Sequence, residues 1–402
     1  MAKSQYPDRS PQILTPGEEA VRGLMEARGG IRVSIYLNVD QAPPQTDKNA
    51  VRLENALTRA QDALVASGME AGQTEAFLAP LRELSKDRAF WLDRKANLGL
   101  FLDPEQLQIL DLPFTVEPRV TVAERFACKA ILPILSENMP VTVLCLNRED
   151  IRCFRGDRFH LESIEVPDLP KAISDVIWPD DPERSIQAHS AKTVSASGRS
   201  GTAIAYAIHG QGLPDDLEDH QKERLFKAVA QATEHFLVND NDVLIVIGVG
   251  DNIGQFHKAS RENKRTVIDV LEDPASLNQN EFFAHVESAL QPVIEKKRRA
   301  LIDAVHESVG RGEGIVDLKQ AAPAAALSRL EACLVAADRF RPGVCDPDNL
   351  KVSIATDPQA ASCAIDLLDY IAVETVLHGG RALAVSEKDL PENSLVAAIP
   401  RY

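Results

Sequence analysis

The sequence has few aromatic residues, few cysteines and no long apolar run. Only 5% of the 402 residues are aromatic, which argues against a sheet that stacks single-stranded bases. The six cysteines include no C-x-x-C pair, so we expect reduced thiols. The longest apolar run, Val243–Val249, is too short to span a bilayer. These absences exclude membrane-spanning, disulfide-stapled and fibrous proteins.

Positive charge is also scarce. Lys and Arg number 44 against 60 Asp and Glu, which gives a formal net charge of −16. Such a chain repels nucleic acid unless its basic residues are concentrated locally. The polar N-terminal residues MAKSQYPDRSPQ contain no hydrophobic targeting core, and we find no coiled-coil seam. We therefore expect a cytoplasmic monomer.

The common catalytic motifs are missing as well. The sequence has no G-x-S-x-G, no H-E-x-x-H and no phosphate-binding loop that ends in Gly-Lys-Ser/Thr. Nine histidines are scattered, and only His209 has a setting that suggests chemistry. No Cys/His pair has metal-ligand spacing. We therefore predict neither a metal nor a cofactor.

Strand and helix patterns alternate along the chain, which indicates an α/β protein. The pattern of residues 1–30 is weak. Strands are predicted at 31–39, 98–102, 108–112, 141–146, 151–154, 159–166, 242–249, 266–270, 332–336, 352–355, 382–385 and 395–399. Helices are predicted at 53–68, 74–85, 122–135, 221–237, 252–262, 280–309 and 362–377.

Residues 184–214 form the most informative segment. They contain no Asp or Glu, although acids make up about one residue in seven of the chain, and they include four glycines and five serines. A loop without acids can approach a polyanion without repulsion, and Lys192 and Arg199 add positive charge. Glycines permit close backbone approach. We interpret the segment as an RNA-contacting loop; a merely flexible Ser/Gly loop is the alternative.

Two further features are ambiguous. Gly248, Gly250 and Gly254, with Asp269 downstream, approach a dinucleotide-binding layout, but the glycine spacing is one residue too long. We favour a structural strand-to-helix turn. Two basic clusters are either solvated helix faces or phosphate contacts for RNA. Their members are Lys258, Arg261, Lys264, Arg265, Lys296, Lys297, Arg298 and Arg299.

Several short segments, taken in order, resemble a known family. They are V-S-I-Y-L at 33–37, D-R-A-F-W at 87–91, E-V-P-D-L-P at 165–170, H-G-Q-G at 209–212, K-E-R-L at 222–225, T-V-L-H-G-G at 375–380 and A-A-I-P-R-Y at 397–402. Their number and order resemble the bacterial archaeo-eukaryotic peptide-chain release factor family, which is related in architecture to class-I release factors and Pelota.

The resemblance implies three domains. These are an N-terminal α/β domain (1–120), a central RNase H-like domain with a mixed sheet and the loop 184–214 (121–277), and a C-terminal α/β/α domain similar to kink-turn-binding ribosomal proteins (278–402). In release factors of the family, the loop carries Gly-Gly-Gln and acts on peptidyl-tRNA. Here the matching position reads Gly198-Arg199-Ser200-Gly201-Thr202, and no Gly-Gly-Gln occurs.

The resemblance therefore implies a translation factor whose partner is the ribosome. It would occupy the ribosomal site where tRNA enters and act in rescue or hibernation without hydrolysis. Contacts to rRNA or the tRNA acceptor end are expected from the two basic clusters and from Lys192, Gly198, Arg199, Ser200, Gly201, Gly210 and Gly212. A translational GTPase is a further partner that the resemblance allows. The alternatives are a peptidyl-tRNA hydrolase using His209 or Gln211, and a dinucleotide-binding enzyme using Gly248–Gly254.

Overall fold

The computed structural model of the chain describes residues 6–7, 9–40, 47–92, 94–176, 213–237, 242–261, 265–346, 349–355, 364–391 and 394–401. Its internal contacts divide it into two compact units. Unit 1 contains residues 1–138 and 293–402, and unit 2 contains residues 139–292. The described residues form a mixed α/β structure, as the sequence predicts. The three-domain division at residues 120 and 277 stays a prediction.

The strands of the described residues, in chain order, are β1 (Pro11–Leu14), β2 (Arg32–Asn38), β3 (Asn97–Leu102), β4 (Leu107–Leu112), β5 (Arg119–Ala123), β6 (Pro140–Asn147), β7 (Asp150–Asp157), β8 (Leu161–Ile164), β9 (Val243–Gly248), β10 (Val267–Val270), β11 (Leu330–Ala336), β12 (Pro342–Asp346), β13 (Lys351–Ile354), β14 (Ile365–Asp366), β15 (Arg381–Val385) and β16 (Val396–Pro400).

The α-helices of the same residues are α1 (Glu18–Glu26), α2 (Asp47–Ala66), α3 (Ala71–Lys86), α4 (Arg88–Leu92), α5 (Pro133–Ser136), α6 (Leu213–Phe236), α7 (Gly250–Ala259), α8 (Gln279–Gly310), α9 (Leu318–Ala326) and α10 (Leu367–Leu377). Short 3₁₀ turns occupy Lys129–Ile131, Ile173–Asp175 and Glu387–Asp389.

The first sheet of unit 1 has the strand order β1-β4-β3-β2-β5. β1 runs parallel to β4, and the other neighbours are antiparallel. Leu53 and Leu57 of α2, together with Phe77 and Leu81 of α3, pack with the sheet in one fully buried core. The helical spacing of these apolar residues explains why α2 and α3 cover the sheet.

The C-terminal part of unit 1 has two small sheets, β15-β11-β16 and β13-β12-β14. β11 runs parallel to β15 and antiparallel to β16. Helix α10 is buried from Leu367 to Val376, which is the pattern of a helix enclosed on all sides. It ends at Leu377, and Gly379, two residues further on, has a φ of +77° in the left-handed region that favours glycine.

Unit 2 is built on one five-stranded sheet with the order β10-β9-β6-β7-β8. β6, β7 and β8 form the antiparallel meander that the sequence predicts, while β6, β9 and β10 run parallel. Every residue of β9 is buried, as expected for a strand covered on both faces. Phe226 and Val229 of α6 pack against this sheet.

The structure corrects the helix predicted at 122–135. Residues up to Ala123 belong to β5, and only the 3₁₀ turn at Lys129–Ile131 and the four-residue α5 follow. The alternation of Val120 and Val122 with polar residues has the period of a strand, and Pro133 interrupts any longer helix. Residues 1–30, in which no element was predicted, contain β1 and α1.

Candidate functional site

Much of the predicted site lies outside the described residues. This applies to Lys192, Gly198, Arg199, Ser200, Gly201, His209, Gly210, Gln211, Gly212 and Lys264. The described residues on either side of the loop belong to one core, because Ile173 precedes the loop, Phe226 follows it, and both side chains pack in the same hydrophobic cluster of unit 2. Unit 2 therefore carries both ends of the loop.

The first basic cluster lies at the end of α7 in unit 2. Lys258 is exposed. The side chain of Arg261 is 90% exposed, and its Nε lies 3.8 Å from Oε2 of Glu234. Arg265 differs, because it is buried and its guanidinium donates to the carbonyl oxygen of Leu237 at 2.6 Å. Among the described members of this cluster, Lys258 and Arg261 thus face solvent.

The second basic cluster is a single turn of α8 within unit 1. Lys296, Lys297 and Arg299 are exposed. None of the three has an ion-pair partner among the residues that the structure describes. Arg298 is partly buried, and one of its guanidinium nitrogens lies 3.8 Å from Oε1 of Glu137. An unpaired exposed cation keeps its full attraction for a phosphate, so this turn is the strongest described candidate for an RNA contact.

The segment Gly248–Gly254 has structural explanations. A Cβ at Gly248 would lie 3.1 Å from Cβ and from the carbonyl oxygen of Leu146, so the close strand packing favours glycine there. Asp251 occupies the first turn of α7 and lies 3.5 Å from Nζ of Lys222. A carboxylate at this position opposes a bound pyrophosphate. Asp269, the acidic residue downstream of these glycines, accepts a hydrogen bond from Nε2 of His257 at 2.9 Å in the tautomer that protonates this nitrogen.

The buried thiols are poorly suited to nucleophilic chemistry. Burial raises the pKa of Cys145, Cys153 and Cys333 to about 12, and the thiolate is the reactive form. Among the described residues, no group of three or more His, Cys, Asp and Glu side chains is placed to hold a metal ion. Within the same residues, no helix combines the length and apolar character needed to cross a bilayer.

One polar cluster in unit 1 is not indicated by the sequence. Nζ of Lys129 lies 2.8 Å from Oδ2 of Asp366, and Oδ1 of Asp369 accepts hydrogen bonds from the backbone N–H groups of Cys128 and Lys129. Burial and the charge of Asp366 raise the pKa of Asp369 to about 7. Asp366 caps α10, a role that its position before an apolar run suggests. Its distant partners have no sequence signal.

Comparison with known proteins identifies related chains. The family model described as bacterial archaeo-eukaryotic release factor family 3 matches residues 141–329. No curated protein matches the chain. Pelota from Archaeoglobus fulgidus is 15% identical, with 77% of this chain and 86% of that chain covered and a TM-score of 0.33.

Two other archaeal structures are also similar. The archaeal translation termination factor aRF1 is 11% identical, with 97% of this chain and 99% of that chain covered and a TM-score of 0.22. A ribosome-bound archaeal Pelota is 12% identical, with 74% and 73% covered and a TM-score of 0.31. TM-scores this low carry no argument about the family, so the resemblance rests on the family model alone. The resemblance predicted from the sequence is thereby confirmed over residues 141–329, which are similar to the bacterial archaeo-eukaryotic release factor family.

Proposed function

We propose that the protein is a translation factor that binds the ribosome and acts in rescue or hibernation without hydrolysing peptidyl-tRNA. The observation that carries the proposal is the match of the release factor family model to residues 141–329. This range contains the sheet of unit 2, the loop 184–214 and both basic clusters. The parts that would meet RNA therefore coincide with the region of family similarity.

The topology of unit 2 supports the domain type implied by the family. An RNase H-like domain is expected to begin with three antiparallel strands and to add two strands parallel to the first. In unit 2, β6, β7 and β8 form the antiparallel part, and β9 and β10 run parallel to β6. We propose that residues 121–277 are this domain, between an N-terminal domain (1–120) and a C-terminal domain (278–402).

The loop composition favours binding over hydrolysis. Residues 184–214 lack acids, so they can approach ribosomal RNA without repulsion, and Arg199 can neutralise a phosphate. The Gly-Gly-Gln of hydrolytic family members is missing. We propose that Lys192 and Arg199 contact rRNA or tRNA phosphates, and that the glycines allow close backbone approach.

The cationic turn of α8 gives a second region for RNA contact. Lys296 and Arg299 are exposed and have no ion-pair partner among the described residues, although the chain as a whole has a net charge of −16. Acidic surface elsewhere suppresses binding to arbitrary RNA. A local cationic turn on such a chain therefore favours one defined partner surface over non-specific association.

Sucrose-gradient sedimentation of lysates from growing and starved cells tests ribosome binding. We expect the protein to migrate with 70S particles, more strongly after starvation, and to dissociate at high salt. Arg199→Glu should reduce this association, whereas Lys319→Glu, which reverses an exposed charge on α9, should not. A protein that stays at the top of the gradient in both conditions contradicts the proposal.

A peptide-release assay separates the proposed function from its hydrolytic alternative. Ribosomes that carry labelled peptidyl-tRNA are incubated with the protein, and free peptide is counted. We expect no release above that of ribosomes alone. Release that is abolished by Gln211→Ala or His209→Ala would instead establish a peptidyl-tRNA hydrolase, in which one of these side chains orients the attacking water.

A further inference from the structure

A cavity of about 480 Å³ lies within unit 1, among α1, α5, α8 and β15. Its volume falls in the range of about 300–1,000 Å³ that is common for small-molecule sites. Its apolar floor is made by Ile134, Ile294, Leu301 and Leu383, none of which is more than 7% exposed. A floor of this kind can cover the apolar body of a ligand.

The rim of the cavity is cationic. Arg22, Lys297, Arg298 and Arg381 line it, against two carboxylates, Glu18 and Glu137. Nε of Arg22 lies 2.7 Å from Oε1 of Glu18, Arg298 approaches Glu137 at 3.8 Å, and a guanidinium nitrogen of Arg381 lies 3.3 Å from Oε1 of Glu331. These pairs leave Lys297 without an ion-pair partner among the described residues and Arg298 with only a long contact. On a chain with a net charge of −16, these two cations beside an apolar floor favour the binding of an anion.

The helical period divides the basic run of α8 between two faces. Ile294, Lys297, Arg298 and Leu301 follow the spacing i, i+3, i+4, i+7, and all four line the cavity. Lys296 and Arg299 do not line it. The run thus has an outer pair of cations suited to an RNA backbone and an inner pair suited to a ligand inside the cavity.

We propose that this cavity binds a small phosphorylated molecule of nucleotide size. Its phosphates would contact Lys297 and Arg298, since a guanidinium and an ammonium are the side chains that best match phosphate oxygens. Its apolar body would pack on Ile134, Ile294 and Leu301. An extended RNA strand fits less well, because its regularly spaced phosphates would gain nothing from contact with the buried aliphatic side chains of the cavity floor.

Isothermal titration calorimetry of the full-length chain tests the proposal with four probes: ADP, GDP, adenosine and pyrophosphate. We expect at least one nucleoside diphosphate to bind at a single site. Adenosine and pyrophosphate should each bind about tenfold or more weakly, because each lacks one of the two matched parts. Failure of both diphosphates to bind, or equal binding of either half-ligand, overturns the proposal.

Neighbouring lysines provide a matched pair of variants. Lys297→Glu should weaken binding of the diphosphate by about tenfold or more, whereas Lys296→Glu, the same charge change on the outer face, should leave binding within about twofold. Ala300→Trp, at an exposed position on the cavity wall, should block the site by volume alone. Equal binding by the two lysine variants, or undiminished binding by Ala300→Trp, contradicts the site. The assay contains no ribosomes, so its outcome is independent of the proposed function.

Discussion

Nζ of Lys129 lies 2.8 Å from Oδ2 of Asp366, and the two side chains are only 8% and 5% exposed. Nζ also donates to the carbonyl oxygen of Arg339 at 2.6 Å, while Oδ1 of Asp366 accepts from the backbone N–H groups of Arg341 and Leu368. The ion pair joins residues 237 positions apart. It therefore links the 3₁₀ turn at Lys129–Ile131, which follows the N-terminal sheet, to the beginning of α10.

Lys129→Met tests the contribution of this ion pair to stability. The variant keeps an apolar stem but leaves Asp366 as an uncompensated buried charge, so we expect the free energy of unfolding to fall by about 3–5 kcal/mol. Urea unfolding followed by circular dichroism measures the change. Lys86→Met is the control, because Lys86 and Glu83 form an exposed pair that should contribute nothing measurable. Equal stability of the two variants would show that Asp366 needs no cation.

Asp369 lies beside this pair and gives the protein a predicted pH dependence. Burial, with the charge of Asp366 as the next cause, raises the pKa of Asp369 from 3.8 to about 7. Between pH 3.8 and about pH 7, the folded state therefore keeps a proton on Asp369 that the unfolded state has already lost. Stability from this group is fully present at low pH and is lost as the pH rises to about 7.

Asp369→Asn should remove that dependence, since the amide oxygen still accepts the backbone hydrogen bonds but does not titrate. The other groups around Asp369 are Lys129, Asp366, Cys128 and Tyr36. Burial raises the pKa of the Cys128 thiol and the Tyr36 phenol well above their usual values, so both stay neutral near pH 7. Between pH 3.8 and about pH 7 the wild type should lose stability relative to the variant. Parallel pH profiles in thermal unfolding would refute the assignment.

The elements whose apolar residues recur with a clear strand or helix pattern were predictable from the sequence. The apolar residues of β9 and the helical spacing of Leu53, Leu57 and Leu64 gave the correct type of element. The short elements were harder. β1 has only four residues, of which three are exposed, and α1 has just three buried residues, Val21, Leu24 and Met25. The buried residues of α1 have helical spacing, but a nine-residue helix and a four-residue strand offer too few positions to decide the period from the sequence.

The arrangement of the side chains was less predictable than the elements. The basic run of α8 is evident in the sequence, and its division into two faces could have been read from the apolar spacing of Ile294 and Leu301. The cluster around Asp369 could not have been predicted from the sequence. It depends on a contact between Lys129 and the beginning of α10, and no local period relates residues so far apart.

The outer cations of α8 should contribute to ribosome binding. The double variant Lys296→Glu and Arg299→Glu should weaken association with 70S particles, and each lost phosphate contact should reduce the slope of log K against log salt by about 1. Pelleting with purified ribosomes at several salt concentrations measures both quantities. Lys319→Glu, on the exposed surface of α9, should change neither. An unchanged salt slope in the double variant would place these residues outside the ribosome contact.

If the segment is a structural turn, alanine at Gly248 and alanine at Gly254 should have opposite effects on stability. Gly248→Ala should destabilise unit 2 by about 1–3 kcal/mol, because the added Cβ would lie 3.1 Å from Leu146 and 3.3 Å from Cγ1 of Ile253. Gly254→Ala should instead stabilise it by about 0.4–1 kcal/mol, because Gly254 lies within α7 and, apart from the helix's own backbone and the adjacent residues, no atom of the described residues is within 4 Å of the added Cβ. Urea unfolding of both variants compares the two effects.

Thermal unfolding of the wild type and of the Gly248→Ala variant with NAD⁺ tests whether the turn binds a dinucleotide. A ligand that binds only the folded state raises the unfolding temperature, so NAD⁺ should stabilise the wild type if it binds at this turn. We expect no shift, since Asp251 places a carboxylate in the first turn of α7 and Asp269 is already hydrogen-bonded to His257. A shift that is present in the wild type and lost in Gly248→Ala would favour the dinucleotide-binding enzyme.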